Sequence, residues 1–157
     1  MNVVSHNVRK VLTPTDFSDR SRRAIQYAVD EARLRRAELH LFHCVTTVMI
    51  GHPMDGTALP VSEDVLGEAQ RSLLNFPEDC EGANDPDRLG LKVVRAVDQG
   101  NPELTILEYA REHLIDLIVL GTHARSGVER FLLGSTAEAI LRHAPCPVLI
   151  VPPPGNE

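Results

Sequence analysis

Small and polar residues follow several apolar runs of this sequence, in patterns that suit the binding of an anion. Pro14–Asp16 places a carboxylate after the first apolar run, and Gly100–Pro102 follows a later one. Gly121–Gly127 combines glycine with histidine and arginine, and Gly134–Thr136 opens a helical pattern. Backbone N–H groups at the start of a helix, beside residues small enough to permit close approach, bind phosphate groups well. The sequence therefore predicts a phosphate or nucleotide site built from these segments.

Other nucleotide and metal motifs are absent from the sequence. The pattern G-x-x-x-x-G-K-[ST] fails because Val128 follows Gly127, and neither G-x-G-x-x-G nor His-x-Gly-His is present. His40 and His43 lie three residues apart in a strand-like stretch, so their side chains point to opposite faces. Since no Cys-x-x-Cys or His-Glu-x-x-His spacing occurs either, we expect no dedicated metal site.

Composition and charge exclude several classes of function. The 157 residues carry 22 acidic and 16 basic side chains, and the net charge of −6 argues against nucleic acid or an anionic membrane as a partner. No apolar run approaches the roughly 20 residues of a membrane span. The cysteines, odd in number and widely spaced, form no disulfide framework and predict small buried or half-buried thiols at Cys44, Cys80 and Cys146. We expect one cytoplasmic domain over residues 1–157, with flexible ends at 1–7 and 152–157.

Alternating strand and helix patterns position the polar segments. Apolar runs predict five strands at Val8–Pro14, Glu38–Val45, Leu91–Val97, Ile115–Leu120 and Pro147–Val151. Helical stripes predict four helices: Ser18–Arg36 with Asp16 or Ser18 as N-cap, one from Ser62 to a break at Pro77, Pro102–Leu114 after the N-cap Asn101, and Gly134–Ala144. Thr46–Val61 has no period and predicts a loop. The alternation predicts one doubly wound α/β domain with a five-stranded parallel sheet covered on both faces, and ligands bind beyond the carboxyl ends of such strands.

The spacing Gly121-x-x-Ala124-x9-Gly134-Ser135 resembles the G-x2-G-x9-G-[ST] nucleotide-binding motif of the universal stress protein family. VLTPTDFSDRSRRAIQYAV is similar to the first strand and helix of that family, LHLFHCV to its second strand, and APCPVLIVP to its last. The resemblance extends over nearly the whole chain. It implies a five-stranded parallel sheet, dimerisation through the last strand and, in one branch of the family, ATP bound at the strand ends.

The resemblance also implies how an adenine nucleotide would lie in this chain. Asp16, with Pro14 and Thr15, would lie near adenine and ribose, and the backbone of Cys44 would contact adenine. The residues expected around the ribose and the phosphates are Gly121, His123, Gly134, Ser135 and Thr136. Their neighbours complete the predicted site: Gly100, Leu120, Ala124 and Arg125. Mg²⁺ would be held by phosphate oxygens, with Ser135 as a candidate ligand.

One motif position departs from the family pattern, because Ala124 stands where the second glycine is expected. A methyl group interferes there if the backbone needs positive φ or contacts a phosphate oxygen, and is tolerated if the position need only be small. Simpler alternatives also exist for single residues: Asp16 as a helix cap, Gly121 as a tight turn, Ser135 as an N-cap, and His123 and Arg125 as exposed loop side chains.

The sequence leaves two main functions open. The first is an ATP-binding, nucleotide-responsive dimeric stress protein, and the alternative is a dimeric interaction module that does not bind nucleotide. A true enzyme of a related superfamily is a weaker third, because neither paired carboxylates nor a Ser-His-Asp context is present. We therefore expect at most slow ATP hydrolysis or autophosphorylation.

The last strand predicts a homodimer. With strand order 3-2-1-4-5 it lies at an edge of the sheet, and its residues are all apolar: Val148, Leu149, Ile150 and Val151. An edge strand of this kind can pair with its own copy in a two-fold symmetric dimer. The sequence does not identify any other protein partner.

Overall fold

The structure, a computed structural model, describes residues 7–47, 49–50, 57–75, 90–122 and 133–152. Its elements in chain order are β1 (Lys10–Pro14), α1 (Asp19–Arg35), β2 (Glu38–Thr46), β3 (Met49–Ile50), β4 (Thr57–Ala58), α2 (Glu63–Asn75), β5 (Val93–Gly100), α3 (Pro102–Glu112), β6 (Leu117–Gly121), α4 (Ser135–His143) and β7 (Val148–Val151). No helix within these ranges is long and apolar enough to cross a lipid bilayer.

Five of the strands form a parallel sheet in the order β5-β2-β1-β6-β7, which confirms the predicted order 3-2-1-4-5. The chain winds outward from β1 through β2 to β5, then crosses back to β6 and β7. The winding therefore reverses between β1 and β6. In a sheet of this kind, a crevice for ligands opens at the carboxyl ends of the two strands that flank the reversal.

Alternation along the central strands divides the core into two layers. Val11 and Leu41 are fully buried in the layer that also holds the apolar stripe of α1, from Ala24 to Ala32. Leu12 and Phe42, their neighbours in sequence, are fully buried in the other layer, beneath α3 and α4. Successive strand residues point to opposite faces, so a continuous apolar run is what a sheet covered on both sides requires.

The predicted loop Thr46–Val61 is wrong in two respects. The second strand continues to Thr46, and β3 and β4 pair antiparallel, with Met49 opposite Ala58. Strands of two residues are too short to show a period of two, so no sequence pattern could have indicated them.

Several predicted boundaries and faces also need correction. The strands predicted from Val8, Leu91 and Ile115 each begin two residues later, because a strand starts only where a neighbouring strand supplies hydrogen bonds. In α2 the buried residues are Ala69 and Leu73, whereas Val65 and Leu74 of the predicted stripe are exposed.

A buried polar network lies near the amino ends of β1 and β2, away from their carboxyl ends. The ring of His40 is 2% exposed, with Nε2 2.7 Å from a carboxylate oxygen of Glu38 and Nδ1 2.8 Å from the hydroxyl of Tyr109. Since a carboxylate only accepts, Nε2 carries the hydrogen, and Nδ1 of the neutral ring accepts from Tyr109. Burial lowers the pKa of His40, although Glu38 opposes this effect. Burial also raises the pKa of Tyr109 to about 12.

Candidate functional site

A cleft of about 420 Å³ opens at the carboxyl ends of β1, β2 and β6 and at the amino-terminal ends of α1, α3 and α4. Most residues of the predicted site line it: Pro14, Thr15, Asp16, Cys44, Leu120, Gly121, Gly134, Ser135 and Thr136. Gly100 is described but does not line the cleft. It ends β5 with φ +145°, and a Cβ there would lie 3.0 Å from Oγ1 of Thr105. His123, Ala124 and Arg125 lie outside the described residues.

Pro102, from the predicted segment Gly100–Pro102, also lines the cleft. Sequence reasoning missed several other residues of the cleft wall: Ser18, Arg20, Ser21, His43, Thr46, Ile106 and Ala137. Most of them belong to the first turns of helices or to the end of β2, within a few residues of a predicted segment. Most of these residues could therefore have been found by including the first turn of each helix that follows a predicted loop.

The turn between β1 and α1 holds the carboxylate of Asp16 at the edge of the cleft. Its Oδ1 accepts hydrogen bonds from both the N–H and the hydroxyl of Ser18. Partial burial would raise the pKa of Asp16, but these hydrogen bonds outweigh it and hold the pKa below its ordinary value. The N-cap of α1 is Ser18, whose hydroxyl accepts from the N–H of Ser21, so the alternative that Asp16 caps the helix is wrong. Asp16 instead orients the residue that does.

Hydrogen bonds and ring contacts fix the same turn to β2. The hydroxyls of Thr15 and Ser21 lie 2.9 Å apart, and Thr15 also accepts from the N–H of Phe17. The Thr15 carbonyl is 2.8 Å from Nδ1 of His43, which therefore carries the hydrogen. Phe17 has φ 62°, a left-handed conformation unusual for a bulky residue, and its ring lies 4.4 Å from that of His43. These contacts make the wall beside Asp16 a well-defined surface.

Gly121 ends β6 where α1 passes directly against it. A Cβ at this position would lie 2.8 Å from the carbonyl oxygen of Arg20, closer than real Cβ atoms approach. The glycine is therefore required by a close approach of backbone, rather than by the tight turn considered as its simpler role.

The amino terminus of α4 opens onto the cleft. Gly134 is the N-cap, with φ −67° and ψ 161°, and it provides no side-chain hydrogen bond to the first turn. Ser135 is the first residue of the helix, so the alternative that Ser135 is the N-cap is wrong. The first N–H groups of a helix have no partner within it, and together they bear partial positive charge. This end of α4 can therefore bind an anion.

The cysteine of the cleft is a poor candidate for chemistry. Cys44 is half-buried, and its Sγ makes weak contacts with the carbonyls of Gly100 at 3.7 Å and Val45 at 3.9 Å. Burial raises its pKa, so the thiol is neutral at physiological pH. Cys146, away from the cleft, is also half-buried, and burial raises its pKa to about 11. Cys80 lies outside the described residues.

The described wall of the cleft combines one carboxylate, one open helix amino terminus and small residues between them. Within the described ranges, no three His, Cys, Asp or Glu side chains are placed so that they could hold a metal ion. The arrangement suits a ligand with hydroxyl groups at one end and a negative charge at the other.

Comparisons with known proteins agree with this architecture. The profile of the universal stress protein family matches residues 7–152. The universal stress protein MJ0531 of Methanocaldococcus jannaschii is 35% identical over 150 residues, which cover 95% of this chain and 85% of that protein.

Solved structures give the same fold. The universal stress protein UspA from Lactobacillus plantarum superposes with a TM-score of 0.67 and 27% identity, over 92% of this chain and 98% of that one. The universal stress protein from Archaeoglobus fulgidus in complex with dAMP gives a TM-score of 0.63 at 21% identity, over 91% and 96% of the two chains. The match over nearly the whole length, together with the shared fold, establishes that this chain belongs to the universal stress protein family.

Proposed function

We propose that this chain binds an adenine nucleotide, ATP with Mg²⁺, in the cleft and acts in the cytoplasm as a nucleotide-responsive dimer. The observation that carries the proposal is that the Asp16 carboxylate and the open amino terminus of α4 border one cleft. Its volume of about 420 Å³ lies in the ordinary range for small-molecule sites. The dAMP complex of the Archaeoglobus fulgidus relative supports an adenine nucleotide as the ligand.

Each part of the nucleotide has a residue suited to it. The carboxylate of Asp16 accepts hydrogen bonds from ribose hydroxyls, and charged acceptors make the stronger bonds of this kind. The backbone of Cys44 faces the adenine, and the first N–H groups of α4 receive the phosphates. Mg²⁺ binds chiefly to phosphate oxygens, with the Ser135 hydroxyl as its candidate protein ligand. His123, Ala124 and Arg125 are proposed to complete the phosphate end.

In this role the chain acts as a nucleotide-dependent switch rather than as an efficient enzyme. Asp16 is the one carboxylate on the described wall of the cleft. The hydrogen bonds from Ser18 that lower its pKa also make it a weak general base, because an effective base has a pKa nearer the working pH. At most we expect slow hydrolysis of ATP or autophosphorylation.

Dimerisation through β7 is the second part of the proposal. In the described chain β7 pairs with β6 on one side, and no described strand pairs with its other edge. Val151 is buried, while Val148, Leu149 and Ile150 are only half-buried. An apolar edge strand with exposed backbone groups is suited to pairing with a second copy.

Calorimetric titration of the nucleotide-free protein with ATP and Mg²⁺ tests nucleotide binding, with Gly134→Asp as the variant. Aspartate is a favoured N-cap, so the substitution preserves α4 while its carboxylate repels phosphate. We expect micromolar binding by the native chain and at least about tenfold weaker binding by the variant, as expected for the loss of one charged contact.

Gly67→Asp is the matched control. It adds the same charge on α2, which contributes no described residue to the cleft, beside the Arg71 side chain. Equal loss in both variants would point to net charge rather than to the cleft. Absence of ATP binding by the native chain would contradict the proposal and favour the dimeric interaction module that binds no nucleotide.

A further inference from the structure

A second cleft, about 480 Å³ in volume, lies beside the first two turns of α1, against the ends of β6 and β7. We call it the arginine cleft, and its main lining residues are Arg20, Arg22, Arg23, Tyr27, Thr122 and Val151. We call the first cleft, proposed above to bind a nucleotide, the nucleotide cleft. Among the described lining residues, only Arg20 is shared between the two clefts. The other residues belong to a separate surface.

The arginine cleft concentrates positive charge in a place where charge of that sign is unfavourable. Its three arginines lie in the first two turns of α1, where the helix itself bears partial positive charge. Asp19 is the one described carboxylate on the wall, and it lies 3.6 Å from Nε of Arg22. Arg20 and Arg23 form no ion pair with any described residue. In a chain of net charge −6, such a local cluster favours an anionic ligand.

Two buried donors on the same wall lack an acceptor in the described structure. Thr122 is 3% exposed, and although its N–H donates to the Val151 carbonyl, its hydroxyl has no hydrogen-bond partner. The Nε of Arg23 is also buried without a partner, and its guanidinium lies 5.9 Å from the centre of the Tyr27 ring. Buried polar groups in folded proteins are nearly always hydrogen-bonded. Both groups can be satisfied by a ligand whose oxygens only accept.

We propose that the arginine cleft is a second ligand site, distinct from the nucleotide cleft, for a small phosphate-bearing anion. Guanidinium groups match phosphate oxygens in geometry and charge, and they bind phosphate more specifically than an ammonium group does. The Thr122 hydroxyl adds a neutral donor. The ligand thus relieves the repulsion among the arginines and supplies the missing acceptors.

Titration with inorganic pyrophosphate tests this site. The whole chain carries Gly134→Asp in this experiment, because the added carboxylate repels pyrophosphate from the nucleotide cleft. We expect Arg23→Gln in this background to weaken pyrophosphate binding at least about tenfold, as for the loss of a charged contact. Arg33→Gln is the matched control, since it removes the same charge from the last turn of the same helix. It should leave binding within about twofold, because surface charges at that distance are screened by salt.

Thr122→Val separates a lost ligand contact from a damaged fold. The hydroxyl has no hydrogen-bond partner among the described residues, so its replacement by a methyl group should leave the unfolding temperature unchanged or higher. We expect the same variant to bind pyrophosphate severalfold more weakly. Absence of pyrophosphate binding in the Gly134→Asp background would overturn the proposal, and so would equal binding by the Arg23→Gln and Arg33→Gln chains. Neither result bears on whether ATP binds the nucleotide cleft of the native chain.

Discussion

At Gly121, the absence of a side chain allows β6 and α1 to meet at the edge of the cleft that lies at the carboxyl ends of β1, β2 and β6. A Cβ at this position would lie 2.8 Å from the Arg20 carbonyl oxygen, so the end of β6 lies close against the first turn of α1. We expect Gly121→Ala to lower the free energy of unfolding by about 1–3 kcal/mol, because the added methyl group must displace backbone. Gly67→Ala is the opposite case. Among the described residues, a Cβ at Gly67 would meet only the Arg71 side chain, at 3.5 Å. Alanine in place of glycine inside a helix stabilises it by about 0.5–1 kcal/mol.

Urea unfolding of both alanine variants measures these effects. A Gly121→Ala chain as stable as the native one would mean that α1 and β6 separate without cost, which would contradict the close approach. Unfolding is measured without ligand, so the expected loss of stability in Gly121→Ala reports packing and not nucleotide binding.

Single residues also mark the limit of prediction from sequence. The cleft position of Asp16 could be predicted because a residue directly after a buried strand must lie at the carboxyl edge of the sheet. The hydrogen bonds that Asp16 accepts from Ser18 could not be predicted, because the sequence allows either residue to cap α1. The contact between Phe17 and His43 joins two segments distant in sequence, and no local pattern indicates such a pair.

At the level of elements, β2 and α3 are joined by His40, whose neutral ring links Glu38 to Tyr109. The unfolded chain takes up a proton at this histidine near its ordinary pKa of about 6.5, whereas burial lowers the pKa in the fold. The unfolded state therefore binds more protons below about pH 6.5, and stability falls as pH falls through that value toward the folded pKa. The slope from one such group is at most about 1.4 kcal/mol per pH unit.

Urea unfolding between pH 7 and pH 5 checks this prediction against His40→Gln, which keeps a donor for Glu38 but cannot titrate. We expect the native chain to lose stability over this range more steeply than the variant. Lys92, the main partner of Glu38, holds the pKa of that carboxyl below its ordinary value, so the contribution of Glu38 is lost only at lower pH. Equal slopes in the two chains would show that His40 is not the group responsible.

The main elements could be predicted because each buries a stripe or run of apolar residues long enough to show its period. The apolar stripe from Ala24 to Ala32 and the N-cap Ser18 predicted the bounds of α1 to within one residue. The N-cap Asn101 predicted the start of α3. The pair of β3 and β4 is defined by backbone hydrogen bonds over two residues each, which leave no periodic trace. The exposure of Val65 and Leu74 could not be predicted either, because the buried face of α2 is narrower than the apolar stripe in its sequence.

For the whole molecule, the strand order determines which surface is left for a partner. The N–H of Ile118 donates to the Pro147 carbonyl, and the N–H of Thr122 donates to that of Val151. Odd-numbered residues of β7 thus present their backbone groups to β6. By the alternation of a strand, Val148 and Ile150 present theirs to the free edge. Pairing with a second copy would use these outward groups.

The proline variant Ile150→Pro tests that pairing, because it removes one outward N–H and leaves the bonds to β6 in place. Proline is tolerated on edge strands for this reason. Ile150 also packs against the core beneath α3 and α4, so Ile150→Ala is the matched control: it loses the packing but keeps the N–H. By light scattering at micromolar concentration, we expect a dimer for the native chain and for Ile150→Ala, and a monomer for Ile150→Pro. A native monomer would contradict dimerisation, and a proline variant as dimeric as the alanine variant would place the interface elsewhere.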